Sequence, residues 1–80
     1  MSSDDAILSA DLERFSYWVQ RVATERGLGM VDLQIRSGLA SGTFFAAVKG
    51  RGNPTMRTIT YIAAALDMPL WCLLAPTPDE

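Results

Sequence analysis

Apolar residues recur along this chain at helical intervals, and glycine or proline interrupts them at short distances. Leu12, Phe15, Trp18, Val19 and Val22 fall at three- and four-residue spacings and predict a first amphipathic helix with one buried stripe. Ser9 is placed to cap it, Asp11 and Glu13 favour its positive N-terminal end, and Gly27 ends it. A second, short helix fits Met30 to Arg36. Val31, Leu33 and Ile35 alternate there, and a segment bracketed by Gly29 and Gly38 is too short for periodicity to exclude a strand. Gly38 supplies a turn and Leu39 is apolar just after it. A third helix fits Ser41 to Val48, capped by Ser41 or preceded by the poor cap Ala40, with Phe44, Ala47 and Val48 facing inward and Gly50 closing it.

Residues Arg51 to Pro54 form a loop through the Gly-Asn-Pro turn. Thr55 can cap a fourth helix that runs through Leu66 on the stripe Met56, Ile59, Ile62, Ala63 and Leu66. Asp67 stops it, because Asp tolerates left-handed backbone better than most residues. Pro69 opens a last short helix, Pro69 to Leu74, in the first-turn position that suits proline. The expected organisation is an N-terminal tail over 1–8 that docks partly through Ile7 and Leu8, one all-α domain over 9–75, and a frayed C-terminal tail over 76–80.

Composition narrows the chemistry. Eighty residues make one domain, with hardly any room for an enclosed catalytic cavity. Cys72 is the single cysteine and histidine is absent, so the chain lacks the commonest zinc ligand and the commonest general base. Cys72 reads as a small, partly buried hydrophobe. No carboxylate pair or phosphate-cradling glycine loop is evident, and Gly50-Arg51-Gly52 is too short for one. The expectation is a protein that is not an enzyme and needs no metal or cofactor. No apolar stretch approaches a membrane span, and the polar, acidic start lacks the features of a secretory signal. A cytoplasmic location is therefore the default.

Charge distribution matters more than the net of −2. Asp4, Asp5, Asp79 and Glu80 lie in the tails; without them nine acidic residues become five against seven basic ones, a net of +2. From Leu33 to Leu66 the only charged residues are Arg36, Lys49, Arg51 and Arg57. A segment free of acids suits a polyanionic partner.

Two short helices around a glycine turn form the helix-turn-helix pattern. The ordered set Glu25-Arg26-Gly27-Leu28, Leu33, Gly38-Leu39, Thr43-Phe44, Lys49-Gly50-Arg51-Gly52-Asn53-Pro54-Thr55, Ile62-Ala63-Ala64-Ala65-Leu66, Pro69-Leu70 and Leu73-Leu74 resembles the phage-repressor, or XRE-type, family. The resemblance covers about Val19 to Leu74, most of the chain. It implies a five-helix domain with a central helix-turn-helix, found in phages and mobile elements, that binds double-stranded DNA as a dimer.

The implied DNA-binding positions are Ser41, Gly42, Thr43, Phe45 and Ala46 on the recognition helix, with Lys49, Arg51, Asn53 and Arg57 after it. Met30 stands where the family often has a phosphate-binding glutamine, and Val48 where it usually has glutamate. Ser41 and Thr43 can read bases loosely, while Phe45 and Ala46 can touch thymine methyls. Lys49, Arg51 and Arg57 would position the protein on phosphates without reading sequence. Asn53 would bond a phosphate or serve the turn. Trp71 and Cys72 replace residues that are polar in the family. Beside Met68 and Leu70 they predict an exposed apolar patch, with Met68, Leu70 and Trp71 as a homodimer or partner interface; the alternative has Trp71 packed on Tyr17 or Trp18. Two functions follow. One is a sequence-specific regulator, a repressor occluding a promoter at a pseudo-palindromic operator. The other is an antiactivator or antirepressor that uses the same scaffold to bind another regulatory protein through Phe45, Val48 and Trp71.

Overall fold

The computed structural model describes residues 9–80; the expected N-terminal tail over 1–8, with Ile7 and Leu8, lies outside the described residues. Among the described residues every regular element is helical: α1 (Ser9–Glu25), α2 (Met30–Ser37), α3 (Ser41–Val48), α4 (Met56–Ala65) and a terminal 3-10 helix (Leu70–Leu74). The chain is all-α. The last short helix is present as a 3-10 helix, and Pro69, expected in its first turn, instead precedes it in extended geometry (φ −63°, ψ 141°).

The helix ends follow from local chemistry. Gly27 (φ +66°) closes α1 in a Schellman arrangement, with Leu28 N–H donating to Ala23 O at 2.8 Å and Gly27 N–H to Thr24 O at 3.1 Å. The same pair of bonds closes α4: Met68 N–H donates to Ala63 O at 3.1 Å and Asp67 N–H to Ala64 O at 2.9 Å. There the left-handed position falls to Asp67 (φ +56°), a side chain that only partly tolerates it. Thr55 caps α4 as expected, its Oγ1 accepting from Thr58 N–H at 3.3 Å. Ser41 does not cap α3; it is the first helical residue, and the capping position is held by Ala40, whose side chain offers no acceptor. Ser9 likewise lies inside α1 and not at its cap.

Helical geometry also settles the ambiguous segment. Over Met30–Ser37 the alternation belongs to a helix: Leu33 points into the core, while Val31 and Ile35, four residues apart, share the opposite face and are exposed. The core joins Leu12, Phe15 and Val19 of α1 to Leu33, to Phe44, Ala47 and Val48 of α3, to Ile59, Ile62 and Ala63 of α4, and to Leu66 and Leu73. Each large aliphatic or aromatic side chain buried there contributes about 1.5–3 kcal/mol. Met56 departs from its expected place in the stripe. It is the first residue of α4, ahead of the turn that meets the core, and it stays 44% exposed. Trp18 is half-buried, not fully enclosed.

Helix α1 packs against α3 and the 3-10 helix, and α4 packs against α2, α3 and the 3-10 helix. Polar side chains of α1, and Arg26 just after it, bind the carbonyls at which other elements end. Ser16 Oγ donates to Val48 O, and Gln20 Nε2 donates to the same oxygen at 3.1 Å. Arg26 donates to Leu66 O, and Trp18 Nε1 donates to Ala75 O at 2.8 Å. These oxygens have no intrahelical donor, and each buried one left unbonded would cost about 1–3 kcal/mol. The C-terminal tail is also tied to α1 where fraying was expected. Arg14 Nε donates to both Glu80 carboxylate oxygens at 3.0 Å, and Thr77 N–H donates to Glu80 Oε2 at 2.8 Å.

Candidate nucleic-acid interface

Helices α2 and α3 are short and are joined by Gly38, Leu39 and Ala40. Gly38 takes φ +75°, where any other side chain is strained, and donates its N–H to Ile35 O at 3.2 Å. Ser37 Oγ donates to Gln34 O at 2.7 Å and accepts from Leu39 N–H at 3.2 Å, so the turn satisfies its own polar groups. Leu39 packs against the core and holds the connection down. The turn thereby fixes α3, whose inner face of Phe44, Ala47 and Val48 is buried and whose Ser41, Gly42 and Thr43 are exposed.

The nine residues expected at a DNA surface do not all converge. Thr43, Ala46, Arg51 and Asn53 line one shallow depression, floored by Ala47 and bounded by Gly52 and Pro54. This is the part of the expected surface that the fold assembles. Ser41 and Gly42 are exposed at the free end of α3, and Arg57 is exposed in the first turn of α4. Lys49 instead lines a separate groove with Glu13, Gln20 and Arg21 of α1. The reason is its position just past the end of α3, the end that Ser16 and Gln20 bind to α1.

Phe45 differs from expectation more sharply. It is half-buried and packs against the core, its ring edge-on to Phe44 with centroids 5.0 Å apart and an interplanar angle of 89°. That geometry satisfies much of the apolar surface that otherwise demanded a partner. Comparisons with protein-family models, with curated proteins and with solved structures found no match. The site therefore rests on its own residues.

The expected apolar patch at the end of the chain is smaller than the sequence implied. A 3-10 helix has three residues per turn, so Leu70 and Leu73 stack on one face, toward the core. Met68 and Leu70 are half-buried there, and Cys72 is half-buried and free. Trp71, a third of a turn away, is 73% exposed and packs on neither Tyr17 nor Trp18; those two rings pack edge-to-face on each other, 4.9 Å apart.

Electrostatics divides the basic residues into two groups. Arg14 pairs with Asp11 and Glu80, Arg21 pairs with Glu25 at 2.8 Å, and Arg26 is used on Leu66 O. Among the described residues, Arg36, Lys49, Arg51 and Arg57 form no ion pair. Sequence reading located these four but could not show that the other basic residues are already neutralised or engaged. Nor did it find Val31 and Ile35 on the surface; their helical spacing of four, opposite Leu33, was the available signal. No cluster of three or more acidic or cysteine side chains suited to a metal ion occurs among the described residues. No helix among them is long and apolar enough to cross a membrane.

Proposed function

We propose that this chain is a sequence-specific DNA-binding transcriptional regulator, a repressor of the phage-repressor-like helix-turn-helix type. In this reading α2, the Gly38 turn and α3 are the helix-turn-helix, and the 3-10 helix is the family's fifth helix. The observation that carries the proposal is the segregation of charge. Apart from Arg26, which is bound to Leu66 O, the basic residues without an acidic partner fall between α2 and the first turn of α4, and Arg51 shares a depression with Thr43, Ala46 and Asn53 on the exposed side of α3. Thr43 and Ala46 would face the major groove, Ser41 and Gly42 the adjoining backbone, and Arg51, Asn53 and Arg57 phosphates. Trp71 would join two copies, placing their α3 helices on half-sites roughly 34 Å apart.

The second reading is a protein-interaction module on the same scaffold. It is favoured by the exposure of Trp71 and by an α3 surface without Arg, Lys, Asn or Gln, the side chains that read guanine or adenine with two bonds. One experiment separates them: fluorescence anisotropy with DNA flanking the chain's own gene, challenged with unrelated DNA. Binding that resists the competitor, weakens with salt and disappears in a Lys49→Ala plus Arg51→Ala variant is the expected result. Weak binding, equal for both DNAs, would overturn the regulator and support the interaction module.

A further inference from the structure

The outer face of α2 carries a pattern that is complementary to itself. Val31 and Ile35 are 62% and 66% exposed, an uncommon state for two aliphatic side chains one helical turn apart. Asp32 and Arg36 are also exposed and flank this pair on one side. They are themselves four residues apart, yet neither forms an ion pair among the described residues. The other residues of α2 turn inward: Leu33 and Ser37 are buried, Met30 and Gln34 half-buried.

We infer that this face binds a second copy of the chain, α2 against α2 in antiparallel orientation. A two-fold axis perpendicular to the helices, passing between Val31 and Ile35, lays Val31 on the partner's Ile35 and Ile35 on the partner's Val31. The same operation keeps both charged flanks on one side and reverses their order. Each Asp32 then comes within reach of the long Arg36 side chain of the other copy, and the two Arg36 are set well apart at opposite ends of the contact. A closed two-fold contact requires such self-complementarity, in which residue i meets j and j meets i. An unrelated partner would need to match only one order of charges. None of these four residues lines the Thr43–Arg51–Asn53 depression or belongs to the 3-10 helix that carries Trp71.

Size sets the strength. Two aliphatic side chains and two charged ones from each copy fall well short of the roughly 1,200 Å² that stable interfaces bury. The contact is therefore weak in free solution and is read at high protein concentration. The inference does not depend on DNA binding.

The test is a dilution series followed by amide nuclear magnetic resonance, run on a Trp71→Ser background so that any contact through the 3-10 helix is silent. Concentration-dependent shifts are expected at the amides of α2, and a Val31→Ser plus Ile35→Ser variant should lose them while keeping a folded spectrum. Asp32→Arg alone and Arg36→Asp alone should each weaken the contact. Mixing these two charge variants in equal amounts should restore it, because Asp32→Arg in one copy then faces Arg36→Asp in the other and the second pair remains native. Recovery in the mixture shows that the charged flanks of two copies meet across the contact. Absence of concentration dependence at α2, or a mixture no better than either variant alone, would overturn it.

Discussion

Replacing Arg51 by Gln removes one positive charge from the depression on α3, and replacing Arg21 by Gln removes one from α1; the two changes are equal in formal charge. They differ in what the charge is doing. Arg21 has its charge already balanced by Glu25 at 2.8 Å, whereas Arg51 has no acidic partner among the described residues. If Arg51 neutralises one phosphate, its loss flattens the plot of log K against log salt by about 0.9. Between 50 and 200 mM salt that corresponds to about 3.5-fold in affinity, and for a dimer using both copies to about 12-fold. Both side chains are exposed, so neither change should move folding stability by more than about 0.5 kcal/mol. Anisotropy titrations at several salt concentrations, with thermal melts alongside, measure both quantities. An equal loss of slope in the two variants would refute the reasoning, since binding would then report net charge and not a surface built around α3.

Other outcomes follow from the helix ends. Asp67→Gly relieves a left-handed backbone at the close of α4 and should raise stability by about 0.5–1 kcal/mol, read as a higher melting temperature. Thr55→Ala removes the acceptor for Thr58 N–H and should cost about 1 kcal/mol, read from denaturant midpoints at constant slope. Glu80 is held down to about 2 from its ordinary 4.5, first by the hydrogen bond from Arg14 and then by Thr77 N–H. A folded pKa below the unfolded one means that its contribution is present above about 4.5 and fades as pH falls toward 2. Thermal melts across that interval should therefore show a smaller decline in a Glu80→Gln variant than in the parent; parallel declines would sink the assignment.

Much of the helical layout was legible because each boundary is written locally. Gly27, Gly38, Gly50 and Asp67 supply the left-handed residues at which helices close, and Thr55 supplies a cap. The contacts made by α1, and by Arg26 just after it, were not legible. Ser16, Gln20 and Arg26 look like a solvated face, yet they bind carbonyls 28 to 40 residues away along the chain. No local pattern encodes an acceptor that only packing brings near. The candidate surface was legible in part for the same reason. Arg51 and Asn53 follow α3 closely enough to share its exposed side, while Lys49 falls where α3 is drawn to α1. The apolar patch expected around Trp71 shrank because three residues per turn send Leu70 inward and leave the indole alone.

The clasp between Arg14 and Glu80 also bears on how the chain is strung. Ala10 and Arg14 of the first helix line one hollow with Thr77, Asp79 and Glu80. The start of α1 and the last described residue are thus neighbours, and the path between them is close to a closed ring. With residues 1–8 left out, a short flexible linker from Glu80 to Ser9 would complete that ring. New ends could then be cut at Gly52, an exposed loop position whose added Cβ would meet nothing. A permuted chain of this kind would present its ends beside the depression on α3, so that a tag or a second domain could be mounted there and not on the far side of the molecule.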